Sequence, residues 1–305
     1  MKRTLALVSC IVSLVCVVAQ AGEERKLEKM GEHVWAYANV LPMTPAKSFG
    51  ANAGVVVGTK AALVIDTLTS AKEGEQLLTD VRQVTKLPIL WAVNTHYHLD
   101  HAWGNCVFEK EGAKLIGASP ATKLLAERGA FGLAHPEQYG MTQDDLEGTT
   151  VAPATITFTR TMSIDLGGVV VELRSLPHGH CPDNLVAWIP QDKVLFSGDL
   201  LFTGCHPFMG ESDVPGWLAD LDMIASIDAE KIIPGHGRLA DAKDIVEMKA
   251  YLKVFDKYAT ELTKGKTQAD APKIAEELQK QLPSQGRNEL ARMVEYNLRL
   301  KYLPK

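Results

Sequence analysis

Cysteine is scarce in this chain of 305 residues. There are five, and Cys10 and Cys16 fall in an apolar stretch at the start. Cys106, Cys181 and Cys205 remain, an odd number that allows at most one intrachain disulfide and leaves a thiol over. None has the close CxxC spacing of a structural zinc site. Long apolar runs are as rare. Residues 5–18 form one, between the basic start Met1-Lys2-Arg3 and the small-x-small signature Ala19-Gln20-Ala21. It falls short of the ~20 residues that span a bilayer. Residues 1–21 are therefore expected to be a cleaved secretory signal, and the mature protein to be exported, in a bacterium to the periplasm. No later stretch is apolar for long enough to cross a membrane. An excess of positive charge is missing too. Lys and Arg number 32 against 37 Asp and Glu, a net charge of −5, and losing Lys2 and Arg3 makes the mature chain more acidic still. That balance argues against nucleic acid and anionic membrane as partners and leaves a small molecule. The sequence also shows no repeat of solenoid period and no low-complexity linker.

What is present is an apolar fraction of 46%, ordinary for a globular core, laid out as strands and helices. Residues 34–38, 54–58 and 61–66 are short runs rich in Val, Ala and Ile, the last two joined by a Gly58-Thr59-Lys60 turn. Residues 70–86 carry Leu77, Leu78, Val81 and Val84 at helical spacing. A strand at 89–94, a helix at 102–110 and a strand at 113–118 follow. Residues 119–150 hold two weak helical pieces and the polar stretch His135-Pro136-Glu137-Gln138-Tyr139-Gly140, and are expected to form an insertion or lid. Strands resume at 156–159, 169–176, 184–189 and 194–197. A helix at 214–227, a strand at 231–234 and two or three helices with charged faces over 241–303 complete the chain. The two halves share an outline, each passing through strands to a His-bearing loop. They pack most simply as an α/β four-layer αβ/βα sandwich. The expectation is one domain over 22–305 whose last part, about 241–305, is a helical extension.

The stretch Asn94-Thr95-His96-Tyr97-His98-Leu99-Asp100-His101 concentrates metal-binding side chains where the 89–94 strand stops. Zinc takes neutral imidazole nitrogens and carboxylate oxygens at about 2.0–2.2 Å. His96 and His98, two apart, point the same way in extended backbone. As the chain turns into a helix, Asp100 and His101 can face a second position nearby. One turn thus supplies two ligands to each of two ions, which in dinuclear sites sit about 3.5–4 Å apart. Four ligands do not complete two sites. Further candidates stand at other strand ends: Pro177-His178-Gly179-His180, Ser197-Gly198-Asp199 and Pro234-Gly235-His236-Gly237. Their glycines suit close backbone approach.

The ordered set HYHLDH, GHCPDN, FSGDLLF and PGHG resembles the metallo-β-lactamase-fold hydrolases over roughly residues 30–240. The resemblance implies a four-layer sandwich with a dinuclear zinc cleft along one edge, two Zn2+ per chain. It implies that His96, His98 and His180 hold the first metal, that Asp100, His101 and His236 hold the second, and that Asp199 bridges them. Asp100 is expected to take part in the chemistry as well. In this family the water or hydroxide between the metals is the nucleophile, so no serine or cysteine nucleophile is required. Two positions are distinctive. The best-known zinc β-lactamases often carry cysteine at the place of Asp199 and lysine three residues on, where this chain has Phe202. Aspartate there is more similar to glyoxalase II, lactonases and alkylsulfatases. His98 stands where the redox diiron relatives have glutamate, which favours zinc and hydrolysis. GHCPDNLVAW and VLFSGDLLF, with the export signal, resemble a periplasmic branch linked to sulfur-oxidation and quinoprotein systems.

Other residues compete for roles. Asp66 is expected either to hydrogen-bond a ligand histidine or a motif-loop amide, or to be a strand-end turn residue. His206 lines the cleft or is structural. Cys181 is expected to pack or pair rather than bind metal, and His178 to be an outer neighbour of the site or solvated. Trp103 is expected in the core, while His135 and Tyr139 are weighed as substrate contacts from the lid. The function expected is hydrolysis of an ester, thioester, lactone, lactam or similar bond. The alternatives are a β-lactamase proper and a non-catalytic periplasmic metal-binding accessory protein.

Overall fold

The computed structural model describes residues 25–176, 179–283 and 286–304. The leader expected over 1–21 and His178 lie outside the described residues. Apolar runs form the central strands of two sheets. The first sheet has seven strands in the order β1 (Glu28–Lys29), β2 (Val34–Tyr37), β3 (Ala53–Val57), β4 (Ala62–Ile65), β5 (Ile89–Val93), β6 (Lys114–Ala118) and β7 (Ile156–Phe158). Pairing is antiparallel from β1 to β4 and parallel from β4 to β7. The second sheet has five strands: β8 (Thr161–Asp165), β9 (Val170–Ser175), β10 (Leu185–Ile189), β11 (Val194–Phe202) and β12 (Lys231–His236). It is antiparallel except for the parallel β11–β12 pair.

Strand side chains alternate between faces, and both faces here are covered. Val56, Leu63, Ile65, Val93 and Ile116 of the first sheet meet Val171, Leu173, Ala187, Ile189 and Phe196 of the second in the core between them. On the outer face of the first sheet, Val55, Val64, Ala92 and Leu115 pack on Leu77 and Val81 of α1 (Ala71–Val84) and Phe108 of α3 (Asn105–Lys110). On the outer face of the second, Val186, Leu195 and Leu200 pack on Trp217 and Leu221 of α5 (Val214–Ala225) and Met248, Leu252 and Phe255 of α6 (Ala242–Leu262). The result is the four-layer αβ/βα sandwich. Each fully buried Leu, Ile or Phe in these layers contributes roughly 1.5–3 kcal/mol. Local signals set the helix starts. Ser70 accepts from the Glu73 amide at the head of α1, and Asp241 and Asp244 form a reciprocal capping box on α6. Among the described residues no helix is long and apolar enough to cross a membrane.

Three expectations need correction. Thr161–Asp165 is an edge strand, overlooked because Ile164 is the one residue in it that is buried. Residues 119–150 contain one full helix, α4 (Ala121–Ala134), in place of two weak pieces, followed by short 3-10 turns at Pro136–Tyr139 and Asp144–Leu146. The strand expected at 194–197 runs on as β11 to Phe202, wholly buried, and β12 runs to His236. Asp199 and His236 therefore sit within paired backbone. Beyond α6 come α7 (Ala271–Gln279) and α8 (Met293–Asn297), the latter continuing into a wider turn over Leu298–Tyr302.

Candidate metal centre

The loop after β5 is closed by its two ends. Asn94 donates from Nδ2 to the His101 carbonyl at 2.8 Å and to Asn105 Oδ1 at 2.9 Å; Asn105 Nδ2 returns a bond to Asn94 Oδ1 at 2.7 Å. Thr67 Oγ1 also donates to Asn105 Oδ1, at 2.9 Å. This buried amide pair fixes the turn in which His98 leads into the four-residue helix α2 (Leu99–Ala102). It places His96 and His98 before the helix and Asp100 and His101 on it. Two glycines let the other elements approach. At Gly198, φ is +51° and a β-carbon would meet Thr95 at 2.6 Å; at Gly235 one would meet Asp199 Oδ1 at 1.8 Å.

Seven side chains converge in two groups, each with its donor atoms within 4.8 Å of one another: His96, His98, His180 and Asp199; and Asp100, His101 and His236. Each group could hold a metal ion. Asp199 joins them. Its Oδ2 lies 3.7 Å from His96 Nε2 and 3.4 Å from His180 Nε2, while Oδ1 lies 3.2 Å from His101 Nε2 and 3.5 Å from His236 Nε2. Asp100 Oδ2 lies 3.2 Å from His236 Nε2 and 3.7 Å from His101 Nε2. In the first group the nitrogens of His96 (Nε2) and His180 (Nε2) are each 3.0 Å from His98 Nδ1.

The outward nitrogens explain which ring atom faces in. His101 Nδ1 donates to Asp66 Oδ2 at 2.9 Å, His180 Nδ1 to the Phe208 carbonyl at 3.0 Å, and His236 Nδ1 to the Phe49 carbonyl at 3.1 Å. Thr95 Oγ1 gives its proton to Asp66 Oδ2 at 2.9 Å, so it accepts from His96 Nδ1 at 3.1 Å. Four imidazoles are thereby held with Nε2 pointing inward, the nitrogen a metal would take. His98 is reversed: Nδ1 faces in, and Nε2 faces Glu211 Oε2 at 3.6 Å. Asp66 thus has the first of its two expected roles. It also accepts the Thr95 amide at 2.7 Å.

Charge divides the groups. Burial holds His96 well below the usual imidazole range, with the neighbouring His101 charge adding to it, and burial pushes His180 down to about 3. Burial opposes protonation of His101 and His236 too, but Asp199 and Asp100 overcome it. His101 is raised well above its ordinary value and His236 to about 9. Burial also works against the charge on Asp199, yet the surrounding histidines hold it ionised well below the usual carboxylate range. Buried Asp199 Oδ1 has no hydrogen-bond partner among the described residues. A buried carboxylate oxygen without a partner, ringed by imidazole nitrogens, fits a bound cation; binding there would release the protons that His101 and His236 hold.

The donors open onto a cleft of about 560 Å³. Its walls include Tyr97, Leu99, Asp100 and Trp103 beside the motif, Arg128 and Tyr139 from the 119–150 segment, and Phe208 and Glu211 from the loop after β11. The expected lid segment does form a wall, and Tyr139 faces the cleft. Trp103, 3% exposed, belongs to the core and also touches the cleft. His135 is not brought there; it is exposed, 3.4 Å from Glu137. His206 is buried against the Tyr251 hydroxyl at 2.8 Å and is structural. Cys106, Cys181 and Cys205 are separate, buried, free thiols. Cys181 donates to Asp183 and Asn184 at 3.1 Å each and is not among the donors. Sequence reading missed Phe49 and the stretch Leu290–Leu300, which supply the opposite wall. It also missed Glu211, whose carboxylate meets Tyr97 Oη at 2.5 Å and pairs with Arg128. A glutamate 31 residues beyond His180 carried no signal of that contact.

The sequence profile of the Metallo-beta-lactamase superfamily matches residues 47–236. A type 2 metallo-beta-lactamase of Bacteroides fragilis is 23% identical over 246 residues, 78% of this chain and 90% of the relative. A linear primary-alkylsulfatase of a Pseudomonas strain is 24% identical over 226 residues, 63% of this chain but 42% of that longer protein. The solved structure of a metallo-beta-lactamase from Pontibacter korlensis superposes with a TM-score of 0.61 at 21% identity, covering 75% of this chain and 99% of the other.

Proposed function

The chain belongs to the metallo-beta-lactamase superfamily, and on that premise we propose that it is an exported, dinuclear zinc-dependent hydrolase of a small-molecule ester, thioester, lactone, lactam or similar bond. The observation that carries this reading is the divided carboxylate of Asp199, one oxygen toward His96 and His180, the other toward His101 and His236. His96, His98 and His180 would hold one ion, Asp100, His101 and His236 the other, with Asp199 between. When bound, such a pair supplies a water activated at neutral pH and polarises the scissile group. The protein's own part is orientation and proton handling. The four Nδ1 bonds keep the rings from turning. Asp100 is more open than Asp199, its side chain 14% exposed against 4%. We assign Asp100 Oδ2 to accept a proton from the attacking water. Export rests on residues 1–21.

A β-lactam substrate is the second reading, favoured by the name of the Bacteroides fragilis relative. Against it, the position three after Asp199, where the best-known zinc β-lactamases often carry lysine, is Phe202, buried and stacked on His236 at 5.2 Å. The alkylsulfatase name brings sulfate esters within range.

The test is metal content with turnover. Mature protein stripped by chelator and reloaded is expected to retain two equivalents of zinc after desalting and to cleave a simple aryl ester. Asp199→Ala is expected to drop below one equivalent and to lose at least ~1000-fold in kcat/KM. One equivalent or fewer in the unaltered protein would sink the dinuclear assignment. Two tightly held equivalents with no turnover above free zinc, across a broad panel, would favour an accessory metal-binding protein instead.

A further inference from the structure

Three guanidinium groups reach the cleft, and they differ in what they face. Arg128, on α4, is pinned by Glu211 and the Tyr97 hydroxyl, with its guanidinium 5.2 Å from the Tyr97 ring centre. Arg299 is bound through Nε to Glu295 Oε1 at 2.7 Å and through Nη1 to the Gln268 carbonyl at 2.8 Å. Both charges are spent. Arg292, at the start of α8, is exposed and lies over the Phe49 ring, 5.9 Å from its centre. Among the described residues its guanidinium has no ion pair and no hydrogen bond.

Phe49 also locates it. The Phe49 carbonyl accepts from His236 Nδ1 at 3.1 Å, so the residue beneath Arg292 is the one that holds a ring of the second donor group. The cleft is therefore electrically asymmetric. Its His98 end carries the neutralised Arg128–Glu211 pair, and its His236 end carries a free cation. Between them the lining is largely apolar and aromatic, with Leu99, Trp103, Tyr139, Phe208, Met293 and Tyr296. Arg292 lies beyond residues 47–236, the stretch that the family profile matches.

We propose that Arg292 is a specificity-determining residue that selects substrates with an apolar body and one anionic group, a carboxylate or sulfonate, placed toward the His236 side of the scissile bond. A guanidinium offers paired donors to such a group, and an unpaired one has no internal partner to give up. Calling the ligand a substrate rests on the hydrolase reading; recognition of the anion does not.

The experiment separates the two. Metal-stripped mature protein is titrated with an anionic dye, 8-anilinonaphthalene-1-sulfonate, and a neutral one, N-phenyl-1-naphthylamine. The unaltered protein is expected to prefer the anion. Arg292→Gln is expected to weaken the anionic dye about tenfold, the scale of one charge-assisted hydrogen bond, and to leave the neutral dye within about twofold. Arg292→Lys should recover most of the loss, and Arg299→Gln should change neither dye by more than about twofold. In zinc-loaded protein, Arg292→Gln should raise KM for the 4-nitrophenyl monoester of adipic acid about tenfold, leave its kcat near the unaltered value, and spare 4-nitrophenyl hexanoate. No preference for the anion in the unaltered protein, equal losses for both dyes, or the same loss in Arg299→Gln would overturn the assignment. If the dye results hold but neither ester turns over, the hydrolase reading fails and anion recognition stands. If both esters turn over and Arg292→Gln leaves both KM values unchanged, selection fails and the hydrolase stands.

Discussion

Residues 47–236 and the helices that follow divide the cleft unequally. The first region contributes all seven donors, from the turn after β5 and helix α2, from the loop after β9, from within β11 and from the end of β12, and all but His98 and Asp100 are buried. The second contributes none. It contributes a wall, and it grips the loop after β11. Arg287 donates to the Phe202 and Cys205 carbonyls at 3.1 and 2.6 Å, and Asn297 donates to the Pro207 carbonyl at 2.8 Å while accepting the Met209 amide at 2.7 Å. That loop carries the Phe208 carbonyl that orients His180. The candidate donors thus sit within or just beyond strands β5, β9, β11 and β12. The helices that follow add no donor; they hold the loop behind His180 and carry the proposed recognition residue.

The sharpest way to break this division is to damage orientation inside the first region and leave the wall intact. Asp66 has φ of +58°, a conformation asparagine tolerates. Asp66→Asn keeps the shape but cannot accept as a carboxylate from Thr95 and His101 together. Zinc affinity is expected to fall by about 10–100-fold, as for other outer partners of ligand histidines, read by competition against a chromophoric chelator. Binding of the neutral dye should be unchanged. An unaltered affinity for the second zinc equivalent would show that Asp66 does not hold His101 for the metal.

The division also explains what the sequence made legible. His96, His98, Asp100, His101, His180, Asp199 and His236 declare their chemistry by residue type and by lying where apolar runs stop. The layers followed from runs such as Val55–Val57 and Val194–Phe196, which have no polar face to spare. What stayed hidden depends on distance through space. Phe49 meets His236 across 187 residues and Asn297 meets Pro207 across 90, and neither carries a local pattern. Asn94 and Asn105 stood in plain view at the ends of the motif, yet an amide pair has no signature of its own. The continuation of β11 through Gly198 was hidden because a glycine with positive φ ordinarily marks a strand's end, whereas here the register shifts and pairing resumes.

A smaller effect should come from the seam between the regions. Asn297→Ala leaves the Met209 amide and the Pro207 carbonyl buried without their partner, at a cost of about 2 kcal/mol. Urea unfolding of the metal-stripped protein measures it. Because Phe208 lies between those two residues, zinc affinity should also fall, by less than in Asp66→Asn. A loss of stability with zinc affinity untouched would mean that His180 is oriented without help from the helical segment.

The smallest effect concerns His206, where the seam meets pH. Burial lowers its ring to about 4, and the Arg287 charge acts in the same direction. Its Nδ1 faces the Tyr251 hydroxyl of α6 at 2.8 Å, and its backbone amide donates to the Glu289 carbonyl at 3.1 Å. The folded state therefore favours the neutral ring, while the unfolded chain takes up a proton near 6.5. Between those values the unfolded state binds more protons, so stability falls as pH drops from about 6.5 toward 4 and is complete above. His206→Gln offers Tyr251 an acceptor that does not titrate. Comparing metal-stripped proteins removes zinc release, and the ligand histidines are common to both. The unaltered protein should lose about 1 kcal/mol more than the variant between pH 7 and 4.5, after allowance for solvent screening. Parallel urea midpoints across that range would show that the helical segment is held by contacts that do not depend on His206. In that case the grip belongs to contacts that do not titrate in this range, such as those of Arg287 and Asn297 and the amides of Asn288 and Glu289 on the Gly204 carbonyl.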